Sequence, residues 1–392
     1  MKLAVLFIAH SYPSGLVYHL TYLADALNKA SKGGVYDFFV GSEGREQYGG
    51  TWSMLNSCMD SRQVIKFLDY NDDIVLQAQK LLECHDKLLI HFGGGWHQLK
   101  PMTRLKKIYK DCLVLVATTH SYQHGSWKSI PTSTIQFLLY NRYVDHVIFQ
   151  SPFTARDFVG GKRLLQHNKA SIIPLGVEKF SEIELSTIPP SPLGEPDIRV
   201  LLKDQHYFNF CYIAKFKKVK KHLWLVDKLA GFLKNNPKIR IFFLGSGEFF
   251  ESVREKIMWY DLSNQIICPG SIPRACMPWV VAQFNAALVV SRNETFGHCF
   301  LEPGFAAIPV IGTRVGAGEY LIQDMITGIG FEPGDIEKLK QAMLYFANHP
   351  DEAKAMGRNY HQFVVDHFSH ATIAQAHHRL YGWLLENKMK NI

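Results

Sequence analysis

Ala286-Ala-Leu-Val-Val-Ser-Arg-Asn-Glu-Thr-Phe-Gly-His-Cys-Phe-Leu-Glu302 is the stretch on which the fold turns. Its first five residues are apolar, end in two β-branched valines and read as a buried strand; Ser-Arg-Asn punctuates the end. Gly297 then opens a second apolar stretch with the texture of a buried helix start. A strand that turns straight into a helix leaves backbone N–H groups at residues 297–299 aimed at whatever occupies the space above the strand. Glu294 lies just before that helix and Glu302 one to two turns inside it.

The same alternation extends along the whole chain. In the first half, strands are expected at Leu3–Ala9, Asp37–Val40, Leu88–Phe92, Leu113–Thr119, His146–Ser151 and Ser171–Leu175. Between the first two, Leu16, Leu20, Leu23, Ala24 and Leu27 fall on one face of a helix. That is the beginning of a βαβ series, and its repetition implies a parallel sheet with helices on both sides. A second series follows at Phe210–Phe216, Ile239–Gly245, Gln265–Gly270, Ala286–Ser291 and Pro309–Gly312. Four prolines in the polar stretch 181–197 read as a linker between the two series. The expected organisation is a Rossmann-like domain over 1–180, the linker, and a second Rossmann-like domain over 198–372. The amphipathic C-terminal helix 373–392 is expected to rejoin the first domain.

The chain has 392 residues, enough for two cores, and its 47% hydrophobic and 20% charged content describes an ordered globular protein. A formal charge of +8 favours anionic partners. Nucleic acid is not among those expected, because no basic run is interleaved with aromatics as in RNA- or DNA-binding modules. Seven cysteines, at 58, 84, 112, 211, 268, 276 and 299, form no C-x-x-C and no metal spacing, the pattern of free thiols in a reducing compartment. The N-terminal apolar run is short and lacks a cleavage site, so it is expected to be a first strand rather than a signal peptide. No stretch reaches the ~20 apolar residues of a membrane span. A cytoplasmic location is expected, with possible peripheral contact at a membrane through the basic, helix-like stretch 100–110, which carries Lys100, Arg104, Lys106, Lys107 and Lys110.

Free N–H groups beside two carboxylates suit a phosphorylated sugar, the carboxylates accepting hydrogen bonds from its diols. With Ala307-Ile-Pro-Val-Ile-Gly-Thr-Arg-Val-Gly-Ala-Gly-Glu319 and Thr327-Gly-Ile-Gly-Phe-Glu-Pro-Gly-Asp335 behind it, the segment closely resembles the retaining glycosyltransferases of family 4, which have the GT-B fold and an E-x7-E signature. The resemblance extends upstream to Cys211-Tyr-Ile-Ala-Lys215-Phe-Lys-Lys-Val-Lys220-Lys, where the family has an Arg and then a Lys that grip the donor diphosphate. Those roles fall to Lys215 and Lys220. Lys215 loses the bidentate fork of an arginine but keeps its charge. Lys221 stands where a Gly is common, which predicts a different local turn. Gly245 and Gly247 resemble the family's turn near the nucleotide base. Gly15, after strand one, partly matches a Gly-rich turn near the donor phosphates and acceptor. His120, at the carboxyl end of the strand Leu113–Thr119, matches a histidine near the reacting centre. His10 and His91 are weaker candidates to line the same cleft.

The resemblance therefore implies an α/β protein of GT-B fold, two doubly wound Rossmann-like domains facing each other across a cleft. It implies a retaining transfer of a sugar from a UDP- or GDP-sugar donor to a glycan or lipid-linked acceptor. Glu294 and His120 are the expected catalytic residues. Gly15, Lys215, Lys220, Gly297, His298, Cys299 and Glu302 are expected to bind the donor, Glu302 through the ribose. No metal or cofactor is expected, because the lysines and the helix N-terminus supply the positive charge. Two other classes share the pattern: a non-catalytic GT-B subunit that stabilises a partner transferase, and a hydrolase or epimerase of nucleotide sugars.

Overall fold

The computed structural model describes residues 3–9, 23, 27, 37–42, 65–67, 74–93, 96–119, 130–176, 180–189, 193–194, 196–292, 294 and 296–389. The chain divides into two compact units, Met1–Glu178 with Phe368–Ile392, and Lys179–His367.

The first unit is built on seven parallel strands: β1 (Leu3–Ala9), β2 (Asp37–Ser42), β3 (Ile65–Phe67), β4 (Lys87–Phe92), β5 (Leu113–Thr119), β6 (His146–Phe149) and β7 (Ala170–Ile172), in the order β3-β2-β1-β4-β5-β6-β7. β4, β5 and β6 are buried along their whole length, which is why each reads as an unbroken apolar run instead of alternating. The period-2 pleat sends their side chains to two cores. Leu6, Leu88, Ile90, Leu113 and Leu115 pack with Leu99, Met102 and Leu105 of the helix Trp96–Ile108. Val5, Phe7, Leu89, Val114 and Val116 pack on the other face with Ile373, Tyr381 and Leu384 of the helix His370–Met389. The C-terminal helix thus covers one face of the N-terminal sheet.

The second unit has six parallel strands: β8 (Phe208–Ile213), β9 (Ile239–Leu244), β10 (Ile266–Gly270), β11 (Ala286–Val289), β12 (Val310–Thr313) and β13 (Gly328–Phe331), ordered β10-β9-β8-β11-β12-β13. Residues 181–197, read above as a linker, carry the helix Glu182–Ser186 and fall within this unit, with Pro189 and Leu193 buried. In both sheets the strand order reverses beside the first strand, between β1 and β4 and between β8 and β11. Ligands of such sheets bind beyond the carboxyl ends of the strands at that switch point. Two strands, β3 and β13, had no counterpart in the sequence reading.

Among the described residues four histidines, His91, His146, His222 and His377, are buried in these cores. Burial pushes His222 down to about 3 and both His146 and His377 down to about 4. The folded protein therefore holds fewer protons than the unfolded chain once the pH drops below about 6.5, and each pH unit between the two values is worth about 1.4 kcal/mol per group. These groups leave stability level above pH 6.5 and erode it progressively as the pH falls toward 4. Thermal melts across pH 4.5–8 measure this directly; a melting temperature that stays flat down to pH 4.5 contradicts the neutral buried state of all three.

Candidate functional site

The loops that follow β8 and β11 meet at the switch point of the second sheet, and one side chain ties them together. The hydroxyl of Tyr212, on β8, lies 2.7 Å from the carbonyl oxygens of both Lys220 and Val290. Thr313, at the end of β12, adds a second tie: its hydroxyl donates to the Ser291 carbonyl at 2.9 Å, and its oxygen accepts from the Ser291 amide at 3.2 Å. The strand end Val290–Ser291 is thus fixed from both sides.

On that scaffold Lys220 donates to a carboxylate oxygen of Glu294 in an ion pair, with only 20% and 11% of the two side chains exposed. The helix His298–Phe305 begins directly behind. Its N-cap is Gly297, at φ +84°, a residue with no side chain to cap the first turn. The hydroxyl of Tyr360 holds the helix from below by donating to the Phe300 carbonyl at 2.6 Å. Cys299 Sγ lies 3.9 Å from Glu294 Oε1 as a weak donor. Burial pushes the Cys299 thiol up, with the charge of Lys220 acting the other way. Glu302 sits in the second turn, buried, and its carboxylate accepts from Arg274, whose side chain is half exposed. A cavity of about 270 Å³ opens beside the turn, lined by Val290, Ser291, Arg292 and Thr313.

The loop from Arg314 to Gly318 supports Glu294 from the opposite side. Gly316 has φ +57°, and a Cβ there would stand 2.0 Å from the Glu294 carbonyl oxygen. Gly316→Ala is therefore expected to push the Glu294 backbone away. The melting temperature should fall, by about 1–3 kcal/mol of stability at this strained position, and activity should fall further than the stability loss explains. A variant with wild-type melting and turnover would show that the loop does not position Glu294.

Among the residues expected from the sequence, Lys220, Glu294, Gly297, Cys299 and Glu302 come together on adjoining elements. His298 opens the helix. Lys215 stands exposed on the loop after β8. Gly15, His120 and His10 lie outside the described residues. His91 is a correction. It does not line a cleft but is buried in the first unit, its Nδ1 2.6 Å from the Tyr381 hydroxyl and its Nε2 2.6 Å from Thr118 Oγ1. Its hydrogen-bonding capacity is used within the core, so it is a structural histidine. Lys221 takes φ +59°, the left-handed conformation a glycine adopts cheaply, so the lysine bears the strain of this turn. Arg274 was missed altogether. It lies 28 residues from Glu302 in a Ser-Ile-Pro-Arg stretch with no motif around it, and only the adjacency of this short turn to the helix His298–Phe305 reveals the pair.

Residues 195–363 match the family model of glycosyl transferases group 1. The chain is 23% identical over 172 residues to the N-acetyl-alpha-D-glucosaminyl L-malate synthase of Bacillus anthracis, a match spanning 43% of this chain and 44% of that protein, less than half of its length. It is 21% identical over 317 residues to the GDP-mannose-dependent alpha-(1-6)-phosphatidylinositol monomannoside mannosyltransferase of Mycolicibacterium smegmatis, covering 76% and 77% of the two chains. Among solved structures it is similar to Anabaena HepE in complex with UDP, with a TM-score of 0.76 at 17% identity over 97% of this chain and 100% of that one. That likeness shows the fold: two Rossmann-like domains of the GT-B type.

Proposed function

We infer that the chain is a glycosyltransferase that takes a nucleotide sugar as donor. The observation that carries this reading is the Lys220–Glu294 pair at the switch point of a sheet whose segment 195–363 matches the group 1 glycosyl transferases. A cation beside a helix N-terminus capped only by a glycine is suited to a diphosphate, and Glu302, buried against the half-exposed Arg274, is suited to a ribose diol. The names of the relatives and the UDP bound to HepE point the same way.

In this reading Lys215, Lys220 and the amides of Gly297, His298 and Cys299 hold the diphosphate, and Glu294 orients the transferred sugar by accepting from its hydroxyls. Stabilisation of the departing diphosphate by fixed positive charge supplies the largest share of the rate. By the resemblance alone, a catalytic role is proposed for His120 and a donor-binding role for Gly15, both outside the described residues. The sugar is transferred with retention, without a metal, to a glycan or lipid-linked acceptor in surface polysaccharide or glycoconjugate synthesis. Lys100, Arg104 and Lys107 of the helix Trp96–Ile108 are assigned to an anionic membrane surface on the cytoplasmic side. Lys106 is not, because its ammonium donates to the Leu113 carbonyl and pairs with Asp145. No helix among the described residues is long and apolar enough to cross a membrane.

A thermal-shift panel of UDP-, GDP- and ADP-sugars tests the reading. One donor at a hundredfold excess over its Kd should stabilise the protein by about 2.7 kcal/mol, and Glu302→Ala should abolish that shift. Stabilisation by none of the donors would refute a donor-binding site.

A further inference from the structure

The loop Lys217–Lys221 carries four lysines in five residues, and only one of them, Lys220, faces Glu294. Beside it lies a separate cavity of about 300 Å³, lined by Lys217, Lys218, Lys221, His222, Trp224 and Phe249. Two features of this cavity are not explained by packing. The first is His222. Its ring is stacked between Phe216, with centroids 4.1 Å apart, and Tyr212, at 4.8 Å. It is 2% exposed, yet among the described residues neither of its nitrogens meets a hydrogen-bond partner. Leaving such a group buried and unbonded costs about 1–3 kcal/mol. A phenylalanine would fill the same aromatic stack without that cost. The second is Lys221, a lysine held in the left-handed conformation, whose side chain lines both this cavity and the one beside Ser291. Strain of this kind is retained where the side chain has a task.

The helix His222–Asn235 starts at the same place, with Lys221 as its N-cap, no side-chain cap and no acidic residue in its first turn. Fourteen residues of helix therefore present their positive end to the cavity. Lysines on the rim, a helix N-terminus, a buried imidazole with unused hydrogen-bonding capacity and an indole wall make one chemical specification: an anionic group attached to an apolar or aromatic body.

The geometry points to a second anion site here, distinct from the Lys220–Glu294 pair, that takes the phosphate of an organic phosphate. The ammonium groups of Lys217, Lys218 and Lys221 face the phosphate oxygens, a neutral His222 donates one N–H, and Trp224 and Phe249 cover the adjoining carbon skeleton. Resting on the function proposed above, the phosphate belongs either to the acceptor, brought up beside the donor site through the shared Lys221 wall, or to a phosphorylated effector.

The test uses the whole protein and phenyl phosphate as the probe, titrated calorimetrically with the donor site filled by whichever nucleoside diphosphate stabilises the protein. Wild type should bind. Lys217→Ala/Lys218→Ala should bind at least tenfold more weakly while its affinity for the nucleoside diphosphate is unchanged. His222→Phe should also bind several-fold more weakly, with a melting temperature equal to or above wild type. Absence of binding by wild type, or wild-type affinity in both variants, would overturn the site. If no nucleoside diphosphate binds at all, the proposed function fails, and the same titration on the unliganded protein still decides this site. Phenyl phosphate that competes with acceptor in transfer assays identifies the acceptor's phosphate, and phenyl phosphate that changes kcat without competing identifies an effector; either result upholds the site.

Discussion

Glu294→Gln is expected to lower kcat for sugar transfer by about 10²–10³-fold while the protein remains folded. Gln has the same shape and still accepts hydrogen bonds, so what it removes is the charge. In the wild type that charge is paired with Lys220 and nine-tenths buried. An interaction made in so desolvated a place is far stronger than its equivalent in water, and in the proposed reaction it acts on charge that develops as the sugar leaves its phosphate. The stability cost is the smaller effect. The Lys220 ammonium loses a partner but remains one-fifth exposed and can be hydrated, so about 1 kcal/mol is expected. The decisive comparison is kcat against melting temperature. A large fall in kcat with a small fall in Tm assigns Glu294 to the chemistry. A Gln variant that turns over like wild type removes Glu294 from the reaction and the proposed function with it.

Lys220→Met should weaken binding of the donor's nucleoside diphosphate by roughly 10–100-fold, the 1.5–3 kcal/mol of a charge-assisted hydrogen bond. Binding of the corresponding nucleoside, which has no phosphates, should change little. Met keeps an apolar stem of similar length and removes only the ammonium. Its backbone carbonyl, which lies 2.7 Å from the Tyr212 hydroxyl, is unaffected by the change, so the loop should stay in place. The contrast between diphosphate and nucleoside separates an electrostatic contact from a general loosening of the loop. Equal losses for both would mean that Lys220 acts through structure. Wild-type affinity for the diphosphate would mean that Lys220 is present only to neutralise Glu294.

Much of the fold was legible because its strands are buried on both faces. Such strands must be apolar without interruption, and Leu113–Thr119 and Leu3–Ala9 were recognised from that alone. β13 was not, because it is half glycine. Gly328 packs where a Cβ would stand 2.1 Å from the Val310 carbonyl oxygen, so close approach to β12, not hydrophobicity, decides its composition. β3 is three residues at the sheet edge, too short to carry a period.

The site divides along the same line. Glu294, Gly297, Cys299 and Glu302 belong to one continuous strand–turn–helix, and local geometry fixes their spacing whatever surrounds them. Their partners do not. Lys220 lies 74 residues from Glu294 and Arg274 lies 28 from Glu302. The first pair forms because β8 and β11 are neighbours in the sheet, with Tyr212 tying the loops after them. Strand order is set by which crossovers bury the most apolar surface, a property of the whole sheet that no local pattern encodes. Likewise a histidine in Lys-Lys-His-Leu reads as one more polar residue on a basic loop, and packing alone turns His222 into a buried ring with unused nitrogens. The sequence by itself determined the two series of parallel strands and the carboxylate-bearing helix start. Tertiary structure decided which charges face one another and which polar groups are left without a partner, because both depend on residues made adjacent by the sheet rather than by the chain.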